Sequence, residues 1–226
     1  VASHGDPELP EALVLEAPFD LHGSPLWAQG ALIGQSRAAM LVSRTLAPDP
    51  RERVLDLCAA PGGKTTHLAA LMHGRGEVVA VERDRRRAGV LARTADRMRA
   101  GNVRVEVSDA ARPREEAAFD RVLVDPPCSG LGTLRARPDL RWRMREDAIG
   151  ELARAQAEIL DAGAHVLRPG GVLVYSTCTI SPDENERVIA AFLESRPEFA
   201  PDGEARQTLP HRDGTAGFYI ARLRRG

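Results

Sequence analysis

The sequence predicts an α/β fold, a mostly parallel sheet with an antiparallel edge strand and helices on both faces. Three observations carry this. Strand-like and helix-like segments alternate along most of the chain. The strand segments are nearly continuous Val and Leu, as strands buried on both faces are. A final strand-like segment, GFYIAR at 217–222, suits an antiparallel edge.

Taken in order, residues 1–35 form a lead-in, rich in Pro, Gly and acids over its first 30 residues, with one short apolar run at Leu13–Leu15. Residues 36–46 (SRAAMLVSRTL) read as a helix that Pro48 and Pro50 end. Strands follow at 53–57 (RVLDL), 77–82 (EVVAVE), 103–107 (VRVEV), 119–125 (FDRVLVD) and 171–176 (GVLVYS). Helices are expected at 64–73, 85–99, 147–167 and 183–195. In the 147–167 segment Ile149, Leu152, Ile159, Leu160, Gly163, Val166 and Leu167 share one stripe. The 183–195 segment opens on a capping box, with Ser181 as N-cap, Pro182 in the first turn and Glu184 three residues on. Residues 36–226 make one domain, long enough for a well-buried core.

Only 4% of the residues are aromatic against 43% hydrophobic, so that core is built from Val, Leu, Ile and Ala. No apolar run approaches the roughly 20 residues that span a bilayer, which excludes a membrane-spanning helix. Three widely spaced cysteines cannot make a disulfide framework and suit a reducing compartment, the cytoplasm. No Cys/His pair has zinc-site spacing, so no metal is expected. The chain begins with Val1 and carries no basic-plus-apolar signal peptide, so its N-terminus is expected to be processed, trimmed or incomplete. The net charge of −1 is uneven: five acids and no Lys or Arg stand in the first 34 residues, leaving the remainder at +4. Lys64 is the only lysine among 31 basic residues.

That lysine lies in DLCAAPGGKTTHLA, residues 56–69, where a strand passes through a small-residue loop into a helix. Backbone N–H groups meet a ligand at such a junction. Gly63, Lys64 and Thr65 match the end of a P-loop, but Cys58 replaces its first glycine, and the dinucleotide Gly-x-Gly-x-x-Gly is missing. An S-adenosylmethionine loop remains, and the acids support it. Asp56, Glu82, Asp109 and Asp125 stand at or just after the ends of successive strands, the crevice edge of an open α/β sheet. Glu82, after the second strand, is placed for ribose hydroxyls, and Asp109 for an adenine amino group. Asp is also a common turn and cap residue, but a register of four acids favours a ligand site.

The fourth strand runs into DPPCSGLGT, residues 125–133, and the fifth into YSTCTISPDENE, residues 175–186. Amino-directed methyltransferases carry Pro-Pro-aromatic in the first of these; Cys128 in the aromatic position points to thiol chemistry instead. Cys178 then stands at the neighbouring strand end. A lone Cys is usually a buried small hydrophobe, and Cys58 is read that way. Cys128 and Cys178, flanked by Pro, Ser and Thr, emerge where catalytic groups do. A thiol suits methylation of cytosine carbon 5, a poor nucleophile until a thiolate adds at carbon 6. A base must then remove the carbon 5 proton. Asp125 can hydrogen-bond the base edge and assist ring protonation.

These three motifs, in this order and spacing, together with LPHRDGTAGFYIARL at 209–223, resemble the Sun/Nop2-type RNA 5-methylcytosine methyltransferases. The likeness covers roughly residues 30–226. It implies the S-adenosylmethionine-dependent methyltransferase fold, Rossmann-like, with S-adenosylmethionine as cofactor. It implies Cys178 as nucleophile and Cys128 as the thiol assisting product release. It also implies a cofactor pocket lined by Cys58, Ala59, Ala60, Pro61, Gly62, Gly63 and Lys64, with Glu82, Asp109 and Asp125. Lys64 is a further candidate for contact with the base. Family members carry an RNA-recognition region ahead of the catalytic domain, and residues 1–35 are read as a remnant of it.

Residues 135–145 hold five Arg and one Asp around Trp142. Arg135, Arg137, Arg141 and Arg143 for phosphates, and Trp142 for a displaced base, suit unpaired or looped RNA. Residues 83–104 hold eight Arg and two Asp, on a helix expected to face away from the crevice. The expected partner is therefore RNA, ribosomal RNA first, with a flipped or unpaired cytosine and the enzyme acting as a monomer. A tRNA substrate, a DNA- or amino-directed methyltransferase, and a non-catalytic RNA-binding assembly factor are the alternatives.

Overall fold

A computed structural model describes residues 1–112 and 117–226. Its elements in chain order are β1 (Ser3–Gly5), β2 (Leu13–Leu15), α1 (Pro25–Ala28), α2 (Arg37–Leu46), β3 (Arg53–Leu57), α3 (Gly63–Leu71), β4 (Glu77–Glu82), α4 (Arg85–Arg97) and β5 (Val103–Val107). Then follow β6 (Phe119–Val124), α5 (Leu140–Arg143), α6 (Glu146–Val166), β7 (Leu167–Thr177), α7 (Glu186–Ser195), β8 (Phe199–Pro201), β9 (Arg206–Gln207), α8 (Pro210–Asp213) and β10 (Tyr219–Arg225).

The central sheet runs β5-β4-β3-β6-β7-β10-β8, with β9 also on β10. β3 to β7 are parallel, and β10 pairs antiparallel with β7, Tyr219 opposite Thr177. The predicted α/β fold is therefore present, and the order of the strands along the chain reverses between β3 and β6, which themselves run parallel. Chain order turns back at that point, so the loops after β3 and β6 diverge and open a crevice at their C-terminal ends.

Residues one apart along a strand enter different cores, because side chains alternate across a sheet. Leu55, Leu57, Val122, Leu173 and Tyr175 pack with Leu160 and Val166 of α6 and Ile189 and Phe192 of α7. Val54, Leu123, Val172 and Val174 pack with Leu41, Val42 and Leu46 of α2 and Leu68 of α3. Gly163 lets α6 lie close on the sheet: a Cβ there would stand 2.9 Å from Val124 Cγ2.

The lead-in is anchored rather than loose. Leu9 is fully buried and joins the α2–α3 core with Ala12, whereas the apolar run Leu13–Leu15 forms β2 and is exposed. Three of its five acids meet arginines: Asp6 accepts from Arg37 Nε at 2.6 Å, Glu8 pairs with Arg37 and Arg206, and Glu11 with Arg44 and with His67 Nε2 at 2.7 Å. The Arg44 hydrogen bond holds the Glu11 carboxyl down at about 2. Several expected boundaries move, two of them around the thiol loops. The chain leaves the α6 helix at Leu167, which already begins β7, and α7 begins at Glu186 rather than near 183. Asn185 is its cap position, and Glu184 turns inward instead of closing a capping box.

Candidate active site

β3 ends at Leu57, and Cys58 takes a left-handed backbone conformation (φ 65°). That conformation costs a non-glycine residue about 1–3 kcal/mol. The chain turns off the sheet, where the Ala59 N–H donates to the Val81 carbonyl and the Gly62 N–H to the Ala59 carbonyl, both at 2.9 Å. Gly62 caps α3 at φ 104°, and a Cβ there would meet Leu91 Cδ1 at 2.8 Å, so glycine is required. Thr65 Oγ1 donates to Asp56 Oδ2 at 2.7 Å and pins α3 to the strand end. Burial pushes the Asp56 carboxyl up to about 7. Asp56 therefore clamps the loop, which corrects the expectation that all four strand-end acids face a ligand.

Glu82 behaves differently. It is buried, its Oε1 accepts from the Asp84 N–H at 3.0 Å, and its Oε2 has no hydrogen-bond partner among the described residues, with the Arg87 guanidinium 3.4 Å away. A buried oxygen left over in this way is suited to a ligand hydroxyl. Asp109 follows β5 at the same edge, its Oδ1 accepting from the Ala111 N–H at 3.1 Å.

The two thiols meet as expected: Cys128 Sγ lies 3.3 Å from Cys178 Sγ. Gly132 donates its N–H to the Cys178 carbonyl at 3.0 Å and accepts from the Gly217 N–H at 2.8 Å. A Cβ on Gly132 would stand 1.9 Å from the Gly217 carbonyl oxygen, so only glycine lets these strands of loop touch. Asn185 holds the other side, accepting from Thr177 Oγ1 at 2.5 Å and donating to the Thr179 carbonyl at 3.2 Å. Between the thiols and the β3 loop, Asp125 accepts from Lys64 Nζ at 2.7 Å and from Ser176 Oγ at 2.8 Å. Burial opposes the Lys64 charge, but Asp125 outweighs it and the ammonium is held.

The two thiols differ electrostatically. The hydrogen bond with Cys128, helped by the Lys64 charge and opposed by burial and by Asp125, sets Cys178 below the ordinary thiol value. That same hydrogen bond, with burial, pushes Cys128 far up, so Cys178 is the more acidic of the pair. A cavity of about 280 Å³ joins Cys58, Lys64, Asp125, Cys128, Cys178 and Phe218.

A family profile described as 16S rRNA methyltransferase RsmB/F matches residues 43–224. The chain belongs to this family. A ribosomal RNA small subunit methyltransferase B from Salmonella newport is 41% identical over 96% of the chain. That match covers 52% of the relative, so the chain spans about half the length of the curated relatives it matches. Among solved structures, that of PH0851 superposes with a TM-score of 0.96 at 37% identity, over 99% of this chain and 54% of that one. The structure of NSun6 from Pyrococcus horikoshii with SFG, an S-adenosylmethionine analogue, superposes with a TM-score of 0.85 at 32% identity, over 92% of this chain and 56% of that one.

This RsmB/F family member thus has the S-adenosylmethionine-dependent methyltransferase fold that its motifs imply. The loop with its cradle at Gly62 and the orphaned Glu82 oxygen fit the family's cofactor, S-adenosylmethionine. Of the expected RNA contacts, Arg137 lines the cavity, while Trp142 is 77% exposed on α5, beneath the Arg141 guanidinium, and Arg143 bonds Asp139. Arg135 is exposed and does not line the cavity.

Sequence reasoning missed Arg87, which was expected on a helix facing away. Its side chain donates to the Ala60 carbonyl at 2.9 Å and lines the cavity, because it sits in the first turn of α4. Phe218 was also missed. Its ring lies 5.3 Å from Lys64 Nζ, and its position inside the terminal GFY of the quoted motif was the available signal.

Proposed function

We propose that this chain methylates carbon 5 of cytosine in RNA, with 16S rRNA as substrate, through a covalent Cys178–cytosine adduct. The observation that carries the reading is the pair of thiols 3.3 Å apart over one cavity with Lys64 and Asp125. The Cys178 thiolate adds to carbon 6 of a base extruded into the cavity, which makes carbon 5 nucleophilic. Asp125 accepts a hydrogen bond from the base edge, and Lys64, held against it, supports the thiolate. The Cys58–Lys64 loop, Glu82 and Asp109 would hold S-adenosylmethionine, which would supply the methyl group. Transfer of the carbon 5 proton to a solvent base then restores the 5,6 double bond and expels Cys178 as its thiolate, with Cys128 assisting from its place beside the nucleophile.

Arg137 at the cavity mouth and Arg135, Arg141 and Arg143 beyond it meet phosphates, and exposed Trp142 offers a stacking face for unpaired RNA. The enzyme acts as a cytoplasmic monomer on this reading. Residues 36–226 supply the chemistry, and residues 1–35 belong to a substrate-recognition extension. Transfer of tritiated methyl to 16S rRNA, followed by bisulfite sequencing, tests the function. Label at one or a few cytosine carbon 5 positions is expected; label on nitrogen, or none, would sink it.

A further inference from the structure

Glu184 is fully buried, and among the described residues no Lys, Arg or His stands within ion-pair distance of it. A carboxylate placed so carries a desolvation cost that only hydrogen bonds offset. Its bonds run to the thiol loops. Oε1 accepts from the Ser129 N–H and from Gln156 Nε2, both at 2.8 Å, and Oε2 accepts from the Ser129 hydroxyl. Ser129 is the residue after Cys128. Gln156 also donates to the carbonyl of Pro127, the residue before Cys128, at 3.0 Å.

The brace reaches the other thiol as well. Ser129 Oγ lies 2.7 Å from Oγ1 of Thr179, the residue after Cys178, and Thr179 Oγ1 accepts from the Ser181 N–H at 3.2 Å. Since Glu184 can only accept from Ser129, the run has one direction. Ser181 N–H donates to Thr179, the Thr179 hydroxyl to Ser129, and the Ser129 hydroxyl to Glu184. The residues following both cysteines are thus locked to one carboxylate that itself touches neither thiol.

We propose that Glu184 is a positioning residue: its carboxylate sets the place of the Cys128 main chain, and so the distance and alignment of the Cys128 thiol against Cys178. The proposal rests on the two-thiol mechanism above for its kinetic consequence, but not for its structural one. Glu184→Gln keeps the size and brings an N–H where both neighbours are donors, or else reverses the hydroxyl run. Cys128 then shifts away from Cys178, and the nucleophile loses the S–H that supports its thiolate.

The test measures the pH dependence of Cys178 alkylation by iodoacetamide, followed on the Cys178 peptide by mass spectrometry, beside methyl-transfer kinetics. Glu184→Gln is expected to move the alkylation midpoint to higher pH and to lower kcat by about ten- to a hundredfold, as a sub-ångström to 1 Å misplacement does. Its KM for RNA and its melting temperature stay near the parent's. A folded Glu184→Gln with the parent's midpoint and kcat overturns the proposal. Ser129→Ala, which removes the hydroxyl and keeps the N–H contact, gives a smaller shift in the same direction; should Glu184→Gln not fold, an unshifted Ser129→Ala overturns the proposal instead. A shifted midpoint in a protein whose parent transfers no methyl group supports the positioning role and sinks the proposed function.

Discussion

Cys58 and Cys178 both follow a parallel strand of one sheet and both line one cavity, yet their environments push them in opposite directions. Cys58 is half-buried near the carboxyl groups of Asp125, Asp56 and Glu82, and desolvation with those charges pushes its thiol up to about 12. Cys178 has the S–H of Cys128 and the Lys64 ammonium beside it, and falls below the ordinary thiol range. Residue type and strand-end position are the same in both. What separates a raised thiol from a lowered one here is the set of donors and charges around it.

Cys178→Ala should show the largest effect. Methyl transfer is expected to fall at least about a thousandfold, more than 4 kcal/mol of barrier, read by tritiated-methyl incorporation. Full activity in that variant would erase the distinction between the two regions. Cys128→Ala comes next: turnover falls, and a covalent protein–RNA adduct builds up that survives denaturing gel electrophoresis. Failure to trap any adduct would remove Cys128 from product release.

Asp56 tests the acid side of the comparison through stability. Its folded-state value near 7 lies above the 3.8 of an ordinary Asp, so the native state holds a proton that the unfolded state has lost. The contribution is intact below about pH 4 and declines as pH rises towards 7, by a few kcal/mol for a shift of this size. Asp56→Asn should flatten that decline, seen as the difference between parent and variant in urea unfolding at pH 5 and pH 8. Equal pH slopes would mean that Asp56 is ionised in the fold. The smallest effect belongs to Cys58→Ala, for which kcat should stay within about threefold, since that thiol carries no chemistry in this reading. A loss as deep as that of Cys178→Ala would invert the comparison.

The parts of this site readable from sequence were those fixed by local geometry. Strand ends at 57, 82 and 107 fall where Val and Leu runs stop, and the Cys128 and Cys178 motifs follow strands that the same runs define. Interactions between distant segments were not readable. Glu184 sits in a spacing that signals a helix cap, and only its burial against Ser129, 55 residues away, shows otherwise. Leu9 anchors the lead-in although Leu13–Leu15 is the more apolar run, because the ion pairs of Asp6 and Glu11 fix which side of that segment faces α2. Composition marked five Arg at 135–145 equally, and only Arg137 points into the cavity.

The acid strap near the start of the chain also joins segments of very different separation. Glu11 and Asp6 find Arg44 and Arg37 at separations of 33 and 31 residues. Glu8 reaches Arg206 across 198 residues, and β9, which carries Arg206, needs β10 as its partner. Short loops close at a lower entropy cost than long ones, so the two short links are the cheaper to form, and the long one depends on the β9–β10 pairing. The Glu8–Arg206 pair therefore ties the lead-in to the side of the sheet that β10 builds beside the strand leading to Cys178.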